Sequence, residues 1–212
     1  MSKIIIFDMD GTLINTSLDI TISINHVRSH CYELPPLSEQ FVIDAINTYE
    51  RNLAELFYEK EVYEDKARAL FEEHYHEQCI QNVYPYNEIA ETLSHLSSRG
   101  CLMSVATNAP STFAVRMLTH LGIAEYFSCI LGADNVEEPK PHPEMIKRIL
   151  NHHGYRENVD TAWMVGDNSK DMKAAQSANI GTIFAAWGFS NTGKGDFIAY
   201  APSEINTIIL EE

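Results

Sequence analysis

Four aspartates in two distant parts of the chain, Asp8 and Asp10 in one and Asp167 and Asp171 in the other, each follow closely on a short apolar run. Carboxylates gathered at one place repel one another unless a cation lies between them. A set of oxygen ligands with room left for water and phosphate suits Mg²⁺ better than zinc, which prefers His and Cys. The chemistry such a layout serves is metal-assisted phosphoryl transfer.

The first motif is Asp8-Met9-Asp10-Gly11-Thr12. A carboxylate at a strand tip can attack phosphorus in line and form an acyl phosphate, splitting a slow hydrolysis into two easier steps. An acid two residues on, aimed at the same place by a sharp turn that Gly11 permits, would protonate the leaving alcohol and later take a proton from water. The competing reading is a plain turn at Asp10-Gly11 joining two strands. Thr107 and Asn108 follow a second apolar run; a hydroxyl and backbone N–H groups at a helix entry make a phosphate cradle, and equally make an ordinary helix cap. Lys140 sits among three prolines in Glu138-Pro139-Lys140-Pro141-His142-Pro143, where stiffness would hold its charge in place for phosphoryl oxygens or a carboxylate. In Gly166-Asp167-Asn168-Ser169-Lys170-Asp171, Asp167 is a metal-ligand candidate and Asp171, four residues further, could support the metal or Lys140. The alternative is a helix start decorated with acids for the macrodipole.

The elements that must position these groups can be read from periodicity. Ile4, Ile5, Ile6 and Phe7 form a run without alternation, as in a parallel strand buried on both faces. Similar strands are expected at Leu102 to Ala106, Cys129 to Gly132, Ala162 to Val165 and Gly181 to Ala185. Between them lie helical stripes: Ile89, Leu93 and Leu96, ended by Gly100; Pro110 to Leu121; Ile146, Ile149, Leu150 and His153; and Ser169 to Ala178. Alternating strands and helices predict an α/β fold with a doubly wound parallel sheet, and ligands in such sheets lie outside the carboxyl ends of the strands. From Ile14 to about Val83 the pattern is helical throughout: Leu18 to His30, a start near Ser38, then Leu53, Leu56 and Phe57, then Ala67, Leu70, Phe71 and His74. The division expected is a core of residues 1–16 and 84–212 with an all-helical insert of residues 17–83, hinged near Ile14 to Ser17 and Asn82 to Tyr86. His74 with His76 and His152 with His153 have the wrong spacing to share a helix face as metal ligands, and Arg51 in the insert reads as a surface ion pair or a substrate contact.

The chain has 212 residues and a formal net charge of −15. That charge excludes nucleic acid as a partner, because such binders need basic stripes, and it opposes the approach of an anionic substrate. Four cysteines, Cys31, Cys79, Cys101 and Cys129, have no close pairing, which argues against a disulfide framework and for a reducing compartment. No apolar run reaches membrane-spanning length and the first is too short for a signal peptide. A cytoplasmic protein, monomer or homodimer, with a small-molecule partner and no membrane attachment is expected.

Taken together the motifs resemble those of the haloacid dehalogenase-like superfamily of phosphohydrolases, in the phosphoglycolate phosphatase-like branch with a helical cap after the first motif. The resemblance spans nearly the whole chain and includes Ala186-Trp187-Gly188-Phe189 after the last strand read. It implies a Rossmann-like core, with Asp8 as nucleophile and Asp10 as general acid/base. It further implies Mg²⁺ held by the carboxylates of Asp8 and Asp167 and the main-chain carbonyl of Asp10. Thr107, Asn108 and Lys140 would hold the phosphoryl group, with Asp171 behind them. The expected activity is a Mg²⁺-dependent phosphatase on a small phosphorylated metabolite, the cap closing over the site and residues between Leu18 and Ile80 setting specificity. Phosphoglycolate, sugar phosphates, nucleoside monophosphates and pyrophosphate are all compatible. A phosphomutase, or a non-catalytic phosphometabolite-binding module, are the competing expectations. One departure from the family is Ala109, where many relatives carry a basic residue.

Overall fold

The first strand, β1 (Lys3–Phe7), is the centre of the molecule, and its sequence explains why. Ile4, Ile5, Ile6 and Phe7 have no exposed surface, so a strand of this composition must be covered on both faces and flanked on both edges. Its neighbours are β4 (Leu102–Ala106) on one side and β6 (Thr161–Gly166) on the other, both parallel to it. The computed structural model describes residues 1–48 and 52–211; Arg51 lies outside the described residues. The chain divides into two compact units, Met1–Asn15 with Pro85–Glu212, and Thr16–Tyr84.

In the first unit, β5 (Phe127–Leu131), β7 (Gly181–Ala185) and β8 (Phe197–Ala199) complete a six-stranded sheet of order β5-β4-β1-β6-β7-β8 in which every neighbouring pair is parallel. Helices α5 (Ile89–Ser98), α6 (Ser111–His120), α7 (Glu144–His152), α8 (Ser169–Ser177) and α9 (Glu204–Glu211) alternate with the strands or follow them. Helix α7 buries Met145, Ile146, Ile149 and Leu150, and with Met172, Ala174 and Ala175 of α8 they pack into one core against Ile4, Ile6 and Met164 of the sheet. The stripe Ile89, Leu93 and Leu96 is fully buried, and α5 stops where expected: Gly100 has φ +75°, with Gly100 N bonded to Ser97 O and Cys101 N to Leu96 O. The strand and helix at Phe197–Ala199 and Glu204–Glu211 extend the fold beyond the series expected from periodicity, which ended at Ala185.

The second unit is helical: α1 (Ser17–Tyr32), α2 (Glu39–Asn47), α3 (Leu53–Tyr58) and α4 (Asp65–Gln78). Its core joins Ile24 and Val27 to Val42, Ala45, Phe57, Tyr58 and Ala67. Of the expected stripe Leu53, Leu56 and Phe57, the last two pack into this core and only Leu53 does not. Asn52 caps α3 through bonds from Ala54 N and Glu55 N, and with that start Ala54 and Phe57 are buried while Leu53 is exposed. His74 is half-buried, bonded to Ser23 at 2.9 Å and stacked on His26; His76 pairs with Glu77. Two short strands, β2 (Ile14–Asn15) and β3 (Tyr84–Pro85), pair where the chain passes from one unit to the other. All four cysteines are free, and no helix among the described residues is long and apolar enough to cross a membrane.

The start of β1 is tied down by Asp160, which accepts from Ser2 N at 2.7 Å and from the Arg156 guanidinium at 3.0 and 3.1 Å. The bonds from Arg156, with the Ser2 amide, hold the Asp160 carboxyl well below the usual carboxylate range. A depressed folded-state pKa means stability that is present above the unfolded value, about 4, and lost as pH falls toward the folded one. Asp160→Asn should therefore lower the melting temperature at pH 7, and the gap to wild type should close below about pH 4 in thermal melts followed by circular dichroism.

Candidate active site

Register decides which side chains meet. Phe7 pairs with Val105 on one side and with Val165 on the other, so the residues just beyond, Asp8, Thr107 and Asp167, emerge at one sheet edge. Asp8 N donates to Val165 O at 2.8 Å and Thr107 N to Leu131 O at 2.9 Å, which carries the ladder one step past the strands. The chain then turns sharply: Thr12, Leu13 and Ile14 all donate their N–H groups to Met9 O. Gly11 makes that turn with φ +80°, and a Cβ there would overlap the Asp167 carboxylate. Only glycine satisfies both demands.

Three buried carboxylates, those of Asp8, Asp167 and Asp171, have oxygens within 4.8 Å of one another. The ammonium of Lys140, itself buried, lies 2.6 Å from Asp8 Oδ1, 2.6 Å from Asp171 Oδ1 and 2.6 Å from the carbonyl of Ala106. Burial alone would disfavour the ammonium, yet Asp171 and Asp8 together outweigh it and raise the Lys140 pKa. Burial, then the charges of Asp8 and Asp171, push Asp167 well above the usual carboxylate range; the amides of Phe189 and Ser190 pull it part of the way back. Asp171 is raised to about 6 by burial and by Asp8, against the opposing pull of Lys140. Lys170 also interacts electrostatically with Asp171 and Asp8, with burial as the main influence lowering its own pKa.

A match to the model of the haloacid dehalogenase-like hydrolase family runs over residues 5–185, from β1 to the end of β7. The chain belongs to that family. Its relatives include a phosphoglycolate phosphatase of Aquifex aeolicus, 31% identical over 96% of this chain and 94% of that protein, and one of Vibrio parahaemolyticus, 30% identical over 98% and 96%. The crystal structure of a predicted phosphoglycolate phosphatase from Haemophilus somnus superposes with a TM-score of 0.84 at 28% identity, covering 98% of this chain and 97% of the other. The chain is thus a phosphoric monoester hydrolase of the phosphoglycolate phosphatase-like branch.

Within this haloacid dehalogenase-like frame, each motif residue can be located. Asp10 stands apart from the carboxylate cluster: its Oδ2 accepts from the Thr107 hydroxyl at 3.3 Å. Thr107 does not cap the helix that follows, because α6 begins at Ser111 behind Pro110. Its Oγ1 instead accepts from Ala109 N at 3.0 Å, closing a separate turn. Asp171 fills both roles that its spacing suggested. Asp171 Oδ2 accepts from Asn168 N at 3.0 Å while the Asn168 side chain accepts from Lys170 N, a reciprocal cap of α8; Asp171 Oδ1 holds Lys140. Asn108, expected at the phosphate, has its side-chain amide on the main chain of Lys140, with Nδ2 2.8 Å from Lys140 O and Oδ1 3.0 Å from Lys140 N.

Two contributors to the geometry belong to quoted motifs but had been given no role. Thr12 is fully buried, accepts from Asp167 N at 3.1 Å and reaches Asp167 Oδ1 at 3.4 Å. The segment after β7 returns to the same aspartate: Phe189 N donates to Asp167 Oδ2 at 2.8 Å, and the Trp187 indole donates to Thr12 O at 3.0 Å. Gly188 is needed there because a Cβ would overlap the Gly11 carbonyl. The Trp187-Gly188-Phe189 string is visible in the sequence; its partners, more than 20 residues away, are not.

Replacing Thr12 by valine keeps the volume and leaves the buried N–H of Asp167 without its acceptor. The loss should be about 1–3 kcal/mol in urea denaturation, and Thr12→Ser should recover most of it.

Proposed function

We propose that this hydrolase cleaves a small phosphate monoester, phosphoglycolate being the first to test, through a phosphorylated Asp8 and with Mg²⁺ as cofactor. The observation that carries the reading is Asp8 itself. It is a buried carboxylate at the end of the central strand, fixed by Lys140 at 2.6 Å, with a second acid two residues on that is held by Thr107. Relatives that carry the name phosphoglycolate phosphatase over nearly their full length support that substrate.

The donor set fits a hard divalent cation: three buried carboxylates close together, no His or Cys among them, and two with pKa values raised by burial and then by the neighbouring carboxylates. Asp171 already gives one oxygen to Lys140 and the other to Asn168 N. The family resemblance implies that Asp8 and Asp167, with the main-chain carbonyl of Asp10, are the groups that would hold Mg²⁺, and the first two belong to the buried cluster. Bound there, the ion would supply positive charge against both the carboxylates and the phosphoryl oxygens.

The remaining work falls to the protein's own groups. Lys140 holds Asp8 oriented through Oδ1, so that its other oxygen can attack phosphorus while the P–O bond to the alcohol breaks. Asp10, protonated, gives its proton to the departing alkoxide. The Asp10 carboxylate then takes a proton from a water molecule that attacks the phosphorus of the aspartyl phosphate, releasing inorganic phosphate and restoring Asp8. The hydroxyl of Thr107, bonded to Asp10 Oδ2, fixes the acid between these two steps.

Asp8→Asn should lower phosphate release from phosphoglycolate by on the order of 10³-fold or more, and Asp10→Asn by about 10²–10⁴. Chelator should abolish wild-type turnover and Mg²⁺ restore it. A malachite-green assay over phosphoglycolate, sugar phosphates, nucleoside monophosphates and pyrophosphate would identify the substrate; full activity in Asp8→Asn would end the reading.

A second expectation concerns pH. Raised folded-state values for Asp167 and Asp171 contribute stability that is complete below the unfolded pKa, about 4, and lost as pH rises through the folded values, about 6 for Asp171. The metal-free protein should lose melting temperature over that window. Mg²⁺ binds the ionised carboxylates, so the gain in melting temperature on adding it should be larger at pH 7.5 than at pH 5. An equal gain at both would contradict this placement of the ion.

A further inference from the structure

Lys140 belongs to no strand or helix. It lies in the irregular segment between β5 and α7, yet its ammonium meets three acceptors at 2.6 Å. A side chain with four rotatable bonds keeps such a position only if its backbone is also held. The holding group is Asn108. Its amide oxygen accepts from Lys140 N at 3.0 Å and its amide nitrogen donates to Lys140 O at 2.8 Å, so that the side chain pairs with this one residue as a neighbouring strand would. The far end of the lysine returns to the same stretch of chain, because Nζ donates to the carbonyl of Ala106, two residues before Asn108. Both ends of Lys140 are thus fastened to residues 106 to 108, directly beyond β4, and the lysine becomes a strut of fixed length between that strand end and Asp8.

We infer that the Asn108 side chain is a positioning group for Lys140. This rests on the reading of Asp8 as nucleophile. A lysine that is free to move by about 1 Å would orient Asp8 poorly at the moment of attack, while ground-state binding of phosphate would change little; misplacement on that scale costs about 10²-fold.

Two variants test it. Asn108→Ala removes both bonds; Asn108→Asp keeps the shape and the acceptor for Lys140 N but sets a carboxylate oxygen against Lys140 O. Both should lower kcat by about 10–100-fold, with KM and the inhibition constant of inorganic phosphate changed less than about 3-fold. A second readout needs no turnover: acylation of Lys140 by an N-hydroxysuccinimide ester, mapped by mass spectrometry in folded protein, should be several-fold faster in both variants than in wild type. If the inhibition constant of phosphate rises more than about 10-fold with kcat unchanged, or if Lys140 acylation is unaltered, Asn108 is not the clamp. Should wild type release no phosphate from any ester, the proposed function fails, and the acylation rates still decide the role of Asn108.

Discussion

Mutual repulsion among Asp8, Asp167 and Asp171 is the constraint around which the rest of the core is arranged. With oxygens within 4.8 Å, each fully ionised pair costs on the order of 3 kcal/mol at an effective dielectric constant near 20, and three such pairs approach the whole stability of a typical domain. Two devices within the chain reduce that cost. Lys140 places one positive charge between Asp8 and Asp171, and Asp167 and Asp171 retain protons to higher pH than free carboxylates do. On the proposed function a divalent cation would be the third device, and an all-carboxylate group suits a hard one.

A cluster this unfavourable has to be imposed by the scaffold. The all-parallel pairing of β1 with β4 and β6 delivers Asp8, Thr107 and Asp167 to one edge whatever their side chains would prefer. Helix α8 contributes Asp171 as part of its own cap, so forming the helix end and forming the site are a single event. Asp167 is gripped from two directions, by Thr12 from the turn after β1 and by Phe189 and Ser190 from the segment after β7. The two glycines at these approaches mark where a backbone had to come closer than any side chain allows.

Legibility in the sequence followed the physical range of each signal. Strands β1, β4, β6 and β7 announced themselves because burial on both faces demands uninterrupted apolar runs, and α5 and α7 because one buried face imposes a period near four. Strand β8 has only three residues, and the bonds that fix its approach join Asp196 to Thr182, far outside any local window. In α3 the apolar pattern placed Leu56 and Phe57 correctly, and only Leu53, the first residue after the Asn52 cap, is exposed. The aspartates, the threonine and the lysine of the motifs could be chosen from residue type and position relative to strand ends. The use made of Asn108 could not, because its partner is the main chain of a residue 32 positions away and carries no side-chain signature.

The charge of Lys140 also bears on how an acidic protein handles an anionic group. At −15 the chain repels phosphate at long range. An ammonium has three N–H donors, and here they are directed to Asp8, Asp171 and Ala106 O. Lys140 therefore acts on an incoming phosphoryl group chiefly as a fixed charge behind Asp8, with direct bonding possible only if one of those three contacts is given up. On the proposed function, the attraction that overcomes the overall field would come from the bound cation, effective only over a few ångströms. On the proposed reading, the groups that meet the phosphoryl group are therefore the buried ones around Asp8 and Lys140.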